Sequence, residues 1–135
     1  MKIGEVAKAA GIGIDAVRFY EREGLIPTPA RRPSGYREYT PDVVVNLRFI
    51  KRAKELGFSL KEIGDLLRLE ASDATTAADV RERAEAKLED LEERIRALQQ
   101  MRRALRKLVE SCPGQGPLSG CSILRALAPE EKQKR

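Results

Sequence analysis

The sequence has no histidine and no tryptophan, two cysteines, and three phenylalanines and three tyrosines among 135 residues. Without histidine the chain lacks the commonest general base and the commonest metal ligand, and no pair of carboxylates falls in a cleft-forming context, so an enzymatic role has no support. A four-ligand zinc shell of nitrogen and sulfur is excluded as well, because two cysteines supply only half of it. No apolar run approaches the length that crosses a bilayer, and the chain begins without the apolar stretch and small-residue cleavage site of a secretory leader. These absences point to a cytoplasmic protein, with no membrane partner, whose thiols stay reduced.

What is present is charge and helix-forming sequence. Charged residues make up 35% of the chain and aromatics 4%, which favours a mainly α protein over an all-β one. The length suits a small domain followed by an extended helix, not two full cores. The net charge of +5 is unevenly placed: up to Lys54 there are 11 Lys and Arg against 6 Asp and Glu, and beyond it 15 of each. A polyanion such as DNA is the natural partner of such an N-terminal domain.

Taken in order, Ile3, Val6, Ala7 and Ala10 form one face of a short helix ended by Gly11. A second helix runs from about Ile14 to Glu23, with Ile14, Val17 and Phe19 expected inside and Arg18, Tyr20 and Arg22 outside. Two short helices joined by a glycine turn are a helix-turn-helix pattern. Residues 25–39 hold three prolines and the turn Pro33-Ser34-Gly35 ahead of Tyr36-Arg37-Glu38-Tyr39, which predicts a small β-ribbon or wing. Arg31, Arg32, Tyr36 and Arg37 suit phosphate and sugar contacts there, whereas Tyr39 is expected to pack on the core.

Thr40-Pro41-Asp42 opens a third helix, and Ser59 with Glu62 forms the S-x-x-E capping box of a fourth. A polar stretch then reads as a hinge. From about Ala77 to Ser111, Leu91, Leu98 and Leu105 share one heptad position and Leu88, Ile95 and Val109 the other, with Arg102 breaking the second set. Such a stripe predicts a homodimer about this helix. It ends at Cys112-Pro-Gly-Gln-Gly-Pro-Leu-Ser-Gly-Cys121, a loop kept compact by its prolines and glycines. Two sulfurs brought together are a soft-metal pair or a disulfide, and spacing alone also allows two cysteines with no site. The expected division is a winged helix-turn-helix domain over 1–70, a hinge at 71–76, a dimerisation helix over 77–111, a metal-binding loop at 112–121, and a short helix and tail over 122–135.

This order of parts resembles the MerR family of bacterial transcription regulators. The resemblance is carried by Ile3-Gly4-Glu5-Val6-Ala7, by residues 17–25 (VRFYEREGL), by Gly35-Tyr36-Arg37-Glu38-Tyr39 and by residues 56–63 (LGFSLKEI). It implies a dimer that sits on promoter DNA with an overlong spacer and, on binding its effector, distorts the DNA so that RNA polymerase can use the promoter. It also implies that Arg18 and Tyr20 on the second helix, and Arg31, Tyr36 and Arg37 in the wing, contact DNA.

The effector follows from what the resemblance leaves. Relatives that sense organic drugs carry a large domain after the long helix, where this chain has 14 residues beyond Cys121, and iron–sulfur relatives need four cysteines. The metal-sensing branch remains, with Cys112 and Cys121 as ligands. Cadmium, lead and many mercury sensors of this kind take a third cysteine from the partner's long helix, at the position of Ala77 here. Two thiolates alone favour Cu(I), Ag(I) or Au(I). The C-x8-C loop, one residue longer than in similar copper regulators, has the length found in mercury and lead sensors, so Hg(II) is the alternative. A reading of another class is a thiol–disulfide oxidant sensor.

Overall fold

The structure, a computed structural model, describes residues 1–29, 35 and 38–129, and divides into two compact units, Met1–Lys87 and Leu88–Arg135. Its elements are helices α1 (Ile3–Ala10), α2 (Ile14–Arg22), α3 (Pro41–Glu55), α4 (Leu60–Ala71), α5 (Ala77–Ser111) and α6 (Ser122–Leu127), with one 3₁₀ turn at Leu118–Gly120. The protein is therefore mainly α, and no strand occurs among the described residues. Most of the expected ribbon, with Arg31, Arg32, Tyr36 and Arg37, lies outside the described residues.

In the first unit one local device ends three successive helices. After α1, Gly11 takes φ 72°, its N–H reaches the Lys8 carbonyl, and the Ile12 N–H reaches the Ala7 carbonyl at 3.0 Å. This paired closure needs a left-handed residue, which glycine adopts without a Cβ clash, followed by an apolar one that folds back on the helix. The same pair of bonds recurs at Gly24-Leu25 and Gly57-Phe58, and Ile12, Leu25 and Phe58 all pack on the core. Helix starts are equally local. The Ser59 Oγ accepts the Glu62 N–H at 3.2 Å while Glu62 accepts the Ser59 N–H at 2.8 Å, completing the capping box. At α5 the Asp79 carboxylate reaches back to the N–H of Thr76 at 2.9 Å and its hydroxyl at 3.1 Å, bonds that hold its pKa below the usual value.

The core formed this way includes Val6, Val17, Leu47, Ile50 and Ile63, each fully enclosed. Helix α1 packs on α2 and α3, and α3 on α4. The contact of α3 with α1 is reinforced at the negative end of the α1 dipole, where Arg48 donates twice to the Ala9 carbonyl and Lys51 once to that of Gly11. The start of α5 joins this unit through two ion pairs to α4: Arg83 with Asp65 at 3.7 Å and Lys87 with Glu62 at 2.8 Å. Lys87 is only 6% exposed, and its ammonium also lies 5.8 Å from the centre of the Phe58 ring.

The second unit has no buried apolar residue among those described. Leu88, Ile95, Leu98, Met101, Leu105 and Val109 are each 53–63% exposed along α5, and Leu91 is half-buried. They form a stripe along a helix of roughly 50 Å.

Candidate functional site

Two places combine the residues that sequence singles out. The first is a groove of about 900 Å³ on the first unit, whose walls include Lys2, Glu5 and Lys8 from the α1 end and Arg18, Glu21 and Arg22 from α2. Arg18 is exposed on α2, as expected of a side chain that leaves the helix-turn-helix toward a phosphate. Lys2 and Lys8 were not among the expected contacts. The signal for them was faint, since two lysines six residues apart acquire a common wall only once α1 and α2 pack.

Tyr20 differs from expectation. It was placed on the outer face of α2, yet it is 8% exposed and belongs to the core. The buried face of α2 is Val17, Tyr20 and Glu21, whereas Ile14, expected inside, is 41% exposed. The helix is rotated relative to the phase its aliphatic residues suggest. Tyr39 is buried as expected, and its hydroxyl donates to Glu21 at 2.9 Å, which gives the inward-turned glutamate a buried hydrogen-bond partner. Arg31, Tyr36 and Arg37 lie outside the described residues.

The second place is the thiol loop. Cys112 follows the last residue of α5, its N–H still bonded to the Leu108 carbonyl at 3.1 Å, and Cys121 immediately precedes α6. Between them the turn Leu118–Gly120 returns the chain, with Gly120 N–H on the Pro117 carbonyl and Cys121 N–H on that of Leu118. The sulfurs end 3.7 Å apart, both half-buried and neither in a disulfide. Cys121 stands before the first turn of α6, and its thiol pKa is lowered. The N–H of Leu124 is the main cause; removal from water opposes it, and the Cys112 thiol and the Ile123 N–H assist. Loss of the Cys121 proton, which holding a soft ion would require, is thus eased relative to an ordinary thiol.

The donor set fits such an ion. With the zinc–thiolate length of about 2.3 Å as a guide, two metal–sulfur bonds in a line span about 4.6 Å. That is within about 1 Å of the observed separation, a change side-chain torsions supply inside their rotamer wells. Among the described residues no third Cys, Asp or Glu joins the sulfurs in a cluster.

Comparison with known proteins addresses the chain as a whole. Residues 1–70 match the family described as MerR HTH family regulatory protein, and residues 44–108 match the one described as MerR, DNA binding. The mercuric resistance operon regulatory protein of Bacillus cereus is 40% identical over 126 residues, 93% of this chain and 96% of that one. The HTH-type transcriptional regulator CueR of Salmonella typhimurium is 39% identical, over 96% of this chain and 99% of its own. Among solved structures, the transcription regulator PbrR691 of Ralstonia metallidurans in complex with lead(II) superposes with a TM-score of 0.84 at 34% identity, covering 95% of this chain and 99% of that one.

Proposed function

This chain belongs to the MerR family of transcriptional regulators, a regulator and not an enzyme, and we propose that it activates a promoter when Cys112 and Cys121 bind a soft monovalent ion, Cu(I), Ag(I) or Au(I). The observation that carries the choice of ion is the pair of sulfurs 3.7 Å apart in a chain with no third cysteine and no histidine. A second copy of this chain has neither residue to add from elsewhere, so Cys112 and Cys121 are the only thiolates the site can draw on. Such a set suits ions content with two ligands in a line.

Hg(II) is the second reading, favoured by the C-x8-C loop length and by the mercuric regulator at 40% identity. It accepts the same two thiolates but leaves a neutral site, where a monovalent ion leaves a net negative one. A reversible Cys112–Cys121 disulfide is a reading of another class, in which peroxide would replace metal as the signal. The 40% identity to a mercuric resistance regulator and the 39% identity to CueR are too close to separate the ions.

The working unit in this reading is a homodimer formed along the exposed α5 stripe, on double-stranded promoter DNA shared with RNA polymerase. Arg18, with Lys2, Lys8 and Arg22 beside it and Arg31, Tyr36 and Arg37 of the wing, holds phosphates, while Tyr20 acts from the core by fixing the α2 orientation. With an ion shared between them, Cys112 and Cys121 tie the end of α5 to the start of α6. DNA deformation costs on the order of 1 to 6 kcal/mol, and a dimer with two arrangements can supply or withhold it.

Competitive binding of Cu(I), Ag(I) and Hg(II) to the reduced dimer, with X-ray absorption and in vitro transcription from its promoter, tests this. Two short metal–sulfur bonds and transcription at the lowest free Cu(I) support it. Transcription with Hg(II) alone transfers the assignment to mercury, and activation by peroxide that a reductant abolishes transfers it to redox. Cys112→Ser or Cys121→Ser is expected to abolish induction with promoter affinity unchanged, whereas Arg18→Ala weakens promoter binding whatever the ion.

A further inference from the structure

The two cysteines are each flanked by a serine, and the serines meet. Ser111 is the last residue of α5 and precedes Cys112; Ser122 is the first residue of α6 and follows Cys121. Their Oγ atoms are 2.9 Å apart, and each lies 3.1 Å from the carbonyl oxygen of Leu108. Each hydroxyl has one proton, so two of these three short contacts are hydrogen bonds at any moment. The Leu108 carbonyl lies in the last turn of α5, where the second lone pair of its oxygen is open to side-chain donors. Here it also receives the Cys112 N–H, so the backbone of one cysteine and the neighbour of the other converge on a single oxygen.

We infer that Ser111 and Ser122 are positioning residues of the thiol site, a hydroxyl clasp that fastens the start of α6 to the end of α5 and so keeps both sulfurs within reach of one ion. The inference rests on the soft-ion reading of the pair. Its physical ground is the segment the clasp closes. Residues 113–120 include Gly114 and Gly116 with positive φ and two prolines, a chain whose own turns bring its ends near each other without fixing α6 in one orientation. An ion that needs both sulfurs at once binds only the fraction of molecules in which they face one another, and raising that fraction raises affinity in proportion. Groups that orient ligands in this way commonly change metal affinity by about 10- to 100-fold when removed.

The clasp does not oppose the adjustment a linear ion requires. It fixes backbone on either side of the pair, while the sulfurs move by their own side-chain torsions.

The test uses the reduced full-length protein and its Ser111→Ala, Ser122→Ala and Ser122→Thr variants. Cu(I) affinity is measured against a chromophoric competing chelator, with metal-free promoter affinity alongside. Amide exchange at Ile123 and Leu124 in the metal-free protein supplies a readout independent of the ion. Ser122→Ala should lose about 10-fold or more in Cu(I) affinity and exchange faster at both amides, with promoter affinity unchanged. Ser122→Thr, which keeps the hydroxyl, should recover both. Alanine variants that bind Cu(I) as tightly as a wild type that binds it well would overturn the clasp and leave the soft-ion reading standing. A wild type that takes up neither Cu(I), Ag(I) nor Hg(II) would overturn the soft-ion reading, and this inference with it.

Discussion

The two units of this chain solve the burial of apolar surface in opposite ways. Among the described residues every buried apolar side chain lies between Val6 and Ile63, whereas the second unit exposes an apolar stripe from Leu88 to Val109 and buries nothing. The first unit can supply its own hydrophobic stabilisation. The second buries none of its own stripe, and a second copy is the proposed cover for it. In the proposed reading, the part that contacts DNA holds together by itself while the helix and loop that would take the ion depend on association.

Substitutions of the same chemistry in the two units sharpen this contrast. Leu47, fully buried, should cost about 2 to 5 kcal/mol when replaced by alanine, whatever the protein concentration. Leu98→Ala, on the exposed stripe, should instead lower a denaturation midpoint that itself rises with protein concentration, because its loss is felt only in the dimer. Denaturant titrations over a range of concentrations decide it. Equal concentration dependence of the two losses would break the comparison.

A smaller effect is expected where α5 meets α4. The Lys87 ammonium, foremost, and the Ser59 N–H hold the Glu62 pKa down to about 2 from 4.5. A carboxylate depressed on folding stabilises fully above about pH 4.5 and loses that contribution as pH falls toward 2. The full shift corresponds to about 3 kcal/mol. Glu62 is 42% exposed, so solvent screening reduces the expectation to about 1 to 2 kcal/mol. Lys87→Met should flatten stability between pH 4.5 and 2, and an unchanged acid limb would show that this pair holds nothing.

The smallest effect is that of the capping box, where Ser59→Ala should cost about 1 kcal/mol by thermal unfolding. Because Ser59 and Lys87 both act on Glu62, the double variant should lose less than the sum.

Much of the fold was legible because its signals are local. The pairs Gly11-Ile12, Gly24-Leu25 and Gly57-Phe58, and the Ser59–Glu62 box, each act within six residues, so sequence alone marks where helices stop and start. Of the thiol site, the pair was legible from the scarcity of cysteine and the turn residues between them. Its support was not, because Ser111 and Ser122 are eleven residues apart and meet only when α6 folds back on α5. Tyr20 shows the other limit. It is buried on the face of α2 where Glu21 meets Tyr39, eighteen residues further along the chain, and no periodicity within α2 contains that pairing.

The sequence by itself determined the helices, their ends, the heptad stripe and the soft donor pair, since backbone dihedrals, caps and composition need no distant partner. Only the tertiary structure decided which face of α2 turns inward, that Lys87 docks on the Glu62 cap, that Lys2 and Lys8 share a wall with Arg18, and that two serines close the thiol loop. Those depend on where elements meet after long loops close, and the free energy of such meetings belongs to pairs of residues that no local window contains.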